Sequence, residues 1–310
     1  MISTAILCSG QGAQSADMFD LLAEAPEAGP VFLAAKQALD GVDPRDLVRR
    51  ATSESIHQDK AGQVLCCTQA MAAWSVIGSA LPRPLLVAGY SVGELSAWAV
   101  AGLLDADGLI QLAVQRALAM DRATVEPSGL TAIRGLTRET LQRICGAHGG
   151  FVAIINGVDQ MLVGGTKAAL VEINKDAVTA GAAHVTILPV TVASHTPLLA
   201  QASAEFRQTL SETHMPARLD AGIRLLSGID GAPVFDVGLG ADKLARQIQQ
   251  TVDWASCMES CRAAGVMKII ELGPGNALIH LIREVMPDAN AHSLAEFRTL
   301  AGFIHWATKA

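Results

Sequence analysis

The sequence predicts an α/β fold built on a parallel sheet, and three observations lead there. Apolar residues make up 50% of the 310-residue chain and aromatics only 4%. Ala, Val, Leu and Ile carry that hydrophobicity, the balance of helices packed on a buried sheet rather than of a β-sandwich. Short apolar runs bounded by Gly and Pro alternate with longer helical stretches. One such run ends in Gly89-Tyr90-Ser91-Val92-Gly93, a GxSxG set between a strand and a helix.

Residues 2–8 read as the first strand, and helical segments follow to about residue 80. The stretch 61–82 carries no formal charge, but Gln63, Thr68, Gln69, Ser75, Gly78 and Ser79 interrupt it, which fits a buried helix better than a membrane span. Residues 84–88 form the next strand, followed by helices over 92–103 and 105–121. The rhythm then changes to strand 130–134, helix 138–147, strands 151–156 and 161–165, helix 167–180 and strand 184–188. This βαββαβ order is that of a ferredoxin-like unit. We therefore expect an inserted subdomain at 126–189 and a larger α/β core from 1–125 and 190–310. Beyond it come helices over 197–211, 241–250 and 255–264, a strand over 267–272, and Gly273-Pro274-Gly275-Asn276 leading into another helix. Loops of this kind at the carboxyl edge of a sheet often line a site.

The net charge of −7 argues against a nucleic-acid partner, which would need a basic face to neutralise phosphates. Residues 2–8 follow no basic leader, so no secretory signal is expected and a cytoplasmic location follows. Cys8, Cys66, Cys67, Cys145, Cys257 and Cys261 form no CxxC pair, and no His stands at ligand spacing from Cys257 and Cys261. They read as structural thiols, and no metal site is expected.

In its strand-to-helix context the GxSxG reads as a nucleophile elbow. The glycines permit a strained turn that lifts Ser91 to the top of the sheet, and the following helix offers free N–H groups where an oxyanion would form. A tight turn with a helix cap is the plainer alternative. An elbow serine needs a base, and His195, closing the extended run 188–195 just before a helix, is the best candidate. His280, on an apolar helix, reads as packed, and no Asp with an orienting role stands out. The loop Ser9-Gly10-Gln11-Gly12-Ala13-Gln14 is no dinucleotide fingerprint, because Ser15 stands where a third glycine is needed, but such a bend can offer a backbone N–H to an oxyanion. Arg116 falls inside the apolar stripe of Leu109, Leu112, Ala113, Ala117 and Met120. A buried arginine needs an anion, which is either an internal acid or a substrate carboxylate held in a bidentate clamp.

Taken together, the GQGAQ loop, Gln63 on a helix, GxSxGE, Arg116, Asn156 with Gln160, Ser194-His195, Arg246-Gln247 and Glu271-Leu272-Gly273-Pro274-Gly275 resemble the malonyl-CoA:acyl-carrier-protein transacylases, in order and over almost the whole chain. The resemblance implies a hydrolase-like α/β core with a ferredoxin-like insertion. It implies Ser91 as nucleophile, His195 as base, and the backbone N–H groups of Gln11 and Val92 as the oxyanion hole. The main-chain carbonyl of Gln247 would orient the histidine, Arg116 would bind the malonyl carboxylate, and Gln63 and Asn156 would be polar pocket residues. Malonyl-CoA would be the substrate and an acyl carrier protein with a phosphopantetheine-type arm the partner, with no permanently bound cofactor. Tyr90 and Val92 depart from the GHSLGE usual in fatty-acid synthesis, and with residues 7–14 they look most like the malonyltransferase (epsilon) subunit of biotin-independent malonate decarboxylase. The expectation is therefore charging of that enzyme's carrier subunit. A general transacylase of fatty-acid or polyketide synthesis is the alternative, and a serine esterase or thioesterase the more distant one.

Overall fold

The structure, a computed structural model, describes residues 2–309 apart from the side chains of Ser53 and Glu54. The chain opens on β1 (Thr4–Cys8) and passes through α1 (Gly29–Ala38), α2 (Pro44–Arg50), α3 (Ser53–Ile56) and α4 (Asp59–Ile77). The uncharged stretch lies in α4, which is buried along most of its length. Then β2 (Leu85–Gly89) turns sharply into α5 (Gly93–Val100), followed by α6 (Ala106–Ala123). All of α5 is buried. The start of α6 is capped by Asp105, whose carboxylate accepts from the Gly108 N–H at 2.7 Å, an interaction worth about 1 kcal/mol.

Next come β3 (Ser128–Arg134), α7 (Arg138–His148), β4 (Phe151–Ile155), β5 (Gln160–Thr166), α8 (Lys167–Thr179) and β6 (His184–Ile187). Thr137 and Thr166 cap the two helices. The chain closes with α9 (Ala200–Glu212), β7 (Ile223–Leu225), α10 (Val237–Arg246), β8 (Val252–Asp253), α11 (Trp254–Ala263), β9 (Lys268–Leu272), α12 (Ala277–Val285), β10 (Asn290–Ser293) and α13 (Leu300–Thr308).

Two sheets result, a parallel one and a mixed one. The first has the order β10-β9-β1-β2-β7 and is parallel throughout. Its residues alternate between faces: Ile6 and Cys8 enter one core with α1, α4 and α6, whereas Ala5 and Leu7 enter another with α11 and α12. Both faces are covered, which is why these strands carry apolar residues without a polar alternation. The second sheet has the order β6-β3-β5-β4-β8, antiparallel except where β8 joins β4. Its first four strands carry the strand order of a ferredoxin-like βαββαβ unit, and β8 is a strand lent from the far side of the sequence.

Some expectations change. Strands β7, β8 and β10 and helix α13 are additional to those read from sequence. The helix expected over 241–250 is instead Val237–Arg246, started by Asp236, whose carboxylate accepts from Leu239 N–H at 2.8 Å. His280 is exposed rather than packed, because the face α12 buries runs through Leu278, Ile279 and Ile282.

Candidate active site

The parallel register brings three strand ends together, with Cys8 opposite both Gly89 and Leu272. The loops that follow β1, β2 and β9 therefore meet at one edge of the sheet. At β2 the chain reverses within four residues: Tyr90 N–H donates to Cys8 O, and Gly93 N–H to Tyr90 O, both at 2.9 Å. This leaves Ser91 in the left-handed region at φ 55°, which costs a non-glycine residue about 1 kcal/mol. A Cβ on Gly93 would lie 2.2 Å from Cys8 O, and one on Gly89 would lie 2.2 Å from the Gly93 carbonyl. Only glycine fits at either position.

His195 stands over the elbow. Its Nε2 lies 2.8 Å from Ser91 Oγ and its Nδ1 2.6 Å from the main-chain oxygen of Gln247. A carbonyl can only accept, so Nδ1 carries the proton and Nε2 is free to take the serine proton. His195 is itself at φ 62°, and its N–H donates to Ile248 O at 2.8 Å. The carbonyls of Gln247 and Ile248 are available because α10 ends at Arg246. Burial, reinforced by the nearby Arg116 charge, pushes the imidazole down to about 3.

The β1 loop packs against the elbow: a Cβ on Gly10 would be 2.8 Å from Tyr90 O and 3.5 Å from Ser91 Cβ. Among the described residues, no protein acceptor takes the main-chain N–H of Gln11 or of Val92. Glu271, quoted in sequence only as part of ELGPG, ties this loop down. Its carboxylate accepts from Ser9 Oγ at 2.7 Å and from the Leu278 and Ile279 N–H groups that open α12. Burial pushes it up to about 7.

Arg116 is 1% exposed on α6. No internal acid pairs with it among the described residues. Its Nη1 donates to Gln63 Oε1 at 2.8 Å, its Nη2 to Gln247 Oε1 at 3.4 Å, and its Nε is buried without a partner. Two carboxylates lie one residue further out. Asp59 accepts from Gln63 Nε2 at 2.9 Å and from the Gln11 side chain, and Glu94 accepts from Gln247 Nε2. Burial raises Asp59 to about 6 and Glu94 to about 8. Sequence reasoning assigned neither a role, although each is a charge on an otherwise buried helical stretch, the same signal that singled out Arg116.

Asn156 is set apart from this network. It hydrogen-bonds the side chain of Tyr90, next to Ser91, and keeps a buried Oδ1 without a partner. Tyr90 in turn meets Trp254 edge-on at 5.3 Å. A cleft of about 580 Å³, lined by Gln142, Phe151, His195, Pro197, Gln249 and Thr251, opens between the second sheet and His195. The constellation can move an acyl group onto Ser91 and on to a second nucleophile, while a buried cation beside it stands ready for an anion.

The acyl transferase domain family matches residues 6–299. The malonyl CoA-acyl carrier protein transacylase of Salmonella typhimurium is 29% identical, over 96% of this chain and 97% of that one. The Mycobacterium tuberculosis protein of the same description is 31% identical, over 88% and 90%. An acyl carrier protein S-malonyltransferase from Vibrio cholerae, solved by crystallography, superposes with a TM-score of 0.88 at 29% identity, covering 97% of this chain and 99% of that one. With a family match running almost end to end and a fold shared over the same length, this protein is an acyltransferase and belongs to the acyl transferase domain family.

Proposed function

We propose that the protein moves a malonyl group from malonyl-CoA to the thiol of an acyl carrier protein through a malonyl ester on Ser91. The observation that carries this reading is Arg116, a buried guanidinium with an unpaired Nε and, among the described residues, no acid in direct contact with it. Such a cation fits an acyl group that ends in a carboxylate.

In the first half-reaction the substrate carboxylate pairs with Arg116 and the thioester carbonyl lies between Ser91 and the N–H groups of Gln11 and Val92. His195 Nε2 takes the serine proton as Oγ attacks, the tetrahedral oxyanion is held by the two N–H groups, and its collapse expels CoA as the imidazolium returns the proton to sulfur. The second half-reaction reverses these steps. The thiol of the carrier's phosphopantetheine-type arm gives its proton to His195, attacks the ester and leaves with the malonyl group. No group beyond substrate and carrier arm is needed. The Gln247 carbonyl keeps the imidazole in the required tautomer, the task an acid performs in a serine triad. Gln63 supports Arg116, and Asn156 lines the approach beside Tyr90. We also assign residues 126–189 to an inserted subdomain bordering the cleft, with 1–125 and 190–310 as the core.

The relatives' descriptions name malonyl transfer to an acyl carrier protein and no decarboxylase, which favours the general transacylase reading. One observation favours the carrier subunit of malonate decarboxylase instead: the elbow reads Tyr90 and Val92, and Tyr90 is the only tyrosine of the chain. Intact-protein mass spectrometry after brief incubation with malonyl-CoA tests the chemistry. A malonyl adduct is expected in the wild type, absent in Ser91→Ala, weakened in Arg116→Ala, and cleared by a carrier thiol. Release of free malonate to water without transfer would identify a thioesterase, and no adduct with no CoA release would sink the acyl-enzyme reading. Comparing fatty-acid-type and decarboxylase-type carriers as acceptors separates the two partners.

A further inference from the structure

The group behind His195 Nδ1 is a neutral main-chain carbonyl, yet a carboxylic acid is present one residue further back. Glu94 lies three residues after the nucleophile on α5 and is 1% exposed. Its Oε2 accepts from the side-chain amide of Gln247 and, at 3.0 Å, from Gly228 N–H. Its other oxygen is buried without a partner. Gly228 makes room for this contact, since a Cβ there would lie 2.6 Å from Glu94 Oε2 and 3.2 Å from Gln247 Nε2. With its NH₂ on Glu94 Oε2 and its Oε1 facing Arg116 Nη2, a group that can only donate, the Gln247 amide is held one way round. Gln247 therefore touches the base through its main chain and the arginine through its side chain.

We propose that Glu94 is a positioning residue for both halves of the site, locking Gln247 so that one carbonyl orients His195 and the other orients Arg116. The proposal rests on the acyl-transfer reading above. Glu94 works here as a neutral acid. Burial raises it to about 8, so near neutral pH it accepts from Gln247 without neutralising the Arg116 charge that the substrate needs. This differs from a triad carboxylate, which stays ionised against the imidazole.

The test follows Ser91 acylation under single-turnover conditions, with malonyl-CoA and with acetyl-CoA, by rapid quench and intact mass. Glu94→Met fills the space but removes the acceptor. It should slow acylation about 100-fold for malonyl and about 10-fold for acetyl, because both need the base and only malonyl needs the arginine. Glu94→Gln keeps an acceptor oxygen and should stay within about threefold of wild type for both. Because Glu94 acts through Gln247, the double variant Glu94→Met with Gln247→Met should be no slower than Gln247→Met alone, within about threefold. Slow-downs that multiply in the double variant, or an equal loss for malonyl and acetyl in Glu94→Met, would overturn the proposal. If Glu94→Met does not fold, Gln247→Met breaks the same link from the other side, and failure to reproduce the malonyl-over-acetyl loss overturns it equally. A wild type that forms no adduct sinks the acyl-transfer reading itself, which distinguishes that failure from the failure of this inference.

Discussion

Replacing Arg116 with alanine should separate malonyl use from acetyl use. Among the described residues the guanidinium hydrogen-bonds only neutral oxygens, those of Gln63 at 2.8 Å and Gln247 at 3.4 Å. Burial holds its pKa below the ordinary arginine value, so the charge is held at a cost until an anion arrives. Removing one partner of a buried ion pair costs about 3–5 kcal/mol, equivalent to about 150- to 5,000-fold in rate. That loss should fall on kcat/KM for malonyl-CoA, while acetyl-CoA, which has no carboxylate to place, changes by less than about fivefold. The assay is CoA release with a carrier as acceptor, run with both thioesters on wild type, Arg116→Ala and Arg116→Met. Thermal unfolding adds a second arm. Arg116→Met breaks no direct ion pair among the described residues and removes a desolvated charge, which offsets the lost attraction to the more distant Asp59 and Glu94, so its Tm should stay within a few degrees of wild type. Equal losses for the two thioesters, or a fall in Tm that tracks the fall in activity, would refute the argument and make Arg116 structural.

Three further outcomes follow from the geometry. Ser91→Gly should form no adduct yet unfold at nearly the wild-type urea midpoint, because relief of the left-handed backbone, about 1 kcal/mol, offsets the added chain entropy of glycine, of similar size; a large fall in midpoint would mean that the Ser91 side chain holds the elbow together. With His195 pushed down to about 3, the imidazole is a neutral base throughout the ordinary range, so kcat/KM for acetyl-CoA should show no acid limb near 6.5, the unperturbed histidine value; a limb there in a pH–rate profile would contradict the buried, Arg116-facing environment. Glu94 is shifted upward, from 4.5 to about 8, so the stability its folded-state proton contributes is full below 4.5 and is lost as pH rises towards 8, at about 1.4 kcal/mol per unit. Glu94→Gln lacks that slope, and denaturant titrations should find it gaining on wild type between about pH 5 and 8; a constant difference would show that Glu94 is not buried as a neutral acid.

What could be read from the sequence was what lay close together along it. The elbow was legible because two glycines and a serine had to sit within five residues of a strand end, and the sterics at Gly89 and Gly93 enforce that spacing. The βαββαβ unit was legible because its first four strands are sequence neighbours. Arg116 was legible as a charge in an apolar stripe, and the same test applied to α5 and to the start of α4 would have found Glu94 and Asp59. Other features had no local signal. Any residue can supply a carbonyl, so Gln247 was named only through the family resemblance, and its physical basis is that α10 stops at Arg246 and leaves that oxygen facing His195. Strands of three and two residues, β7 and β8, have no periodicity to read and exist because a neighbouring edge pairs with them. The strand expected over 2–8 proved to be Thr4–Cys8, an ordinary boundary difference.

The strand β8 also bears on how this chain could be re-engineered. Three residues separate Gln247 from Thr251, whose hydroxyl donates to Val152 O of β4 at 2.8 Å, and β8 follows at once. Asp253 N–H meanwhile donates back to Gly228 O at 3.0 Å, on the loop that also contacts Glu94. The second sheet is thus sewn to the catalytic backbone by a seam far from residues 126–189 in sequence. A chimera that exchanged only that segment for its counterpart in another acyltransferase would sever the seam, because the new sheet edge would face a β8 it had not been matched to. Grafts meant to alter the cleft should carry residues 247–253 along with the segment, so that the new sheet arrives with its own anchor to the histidine.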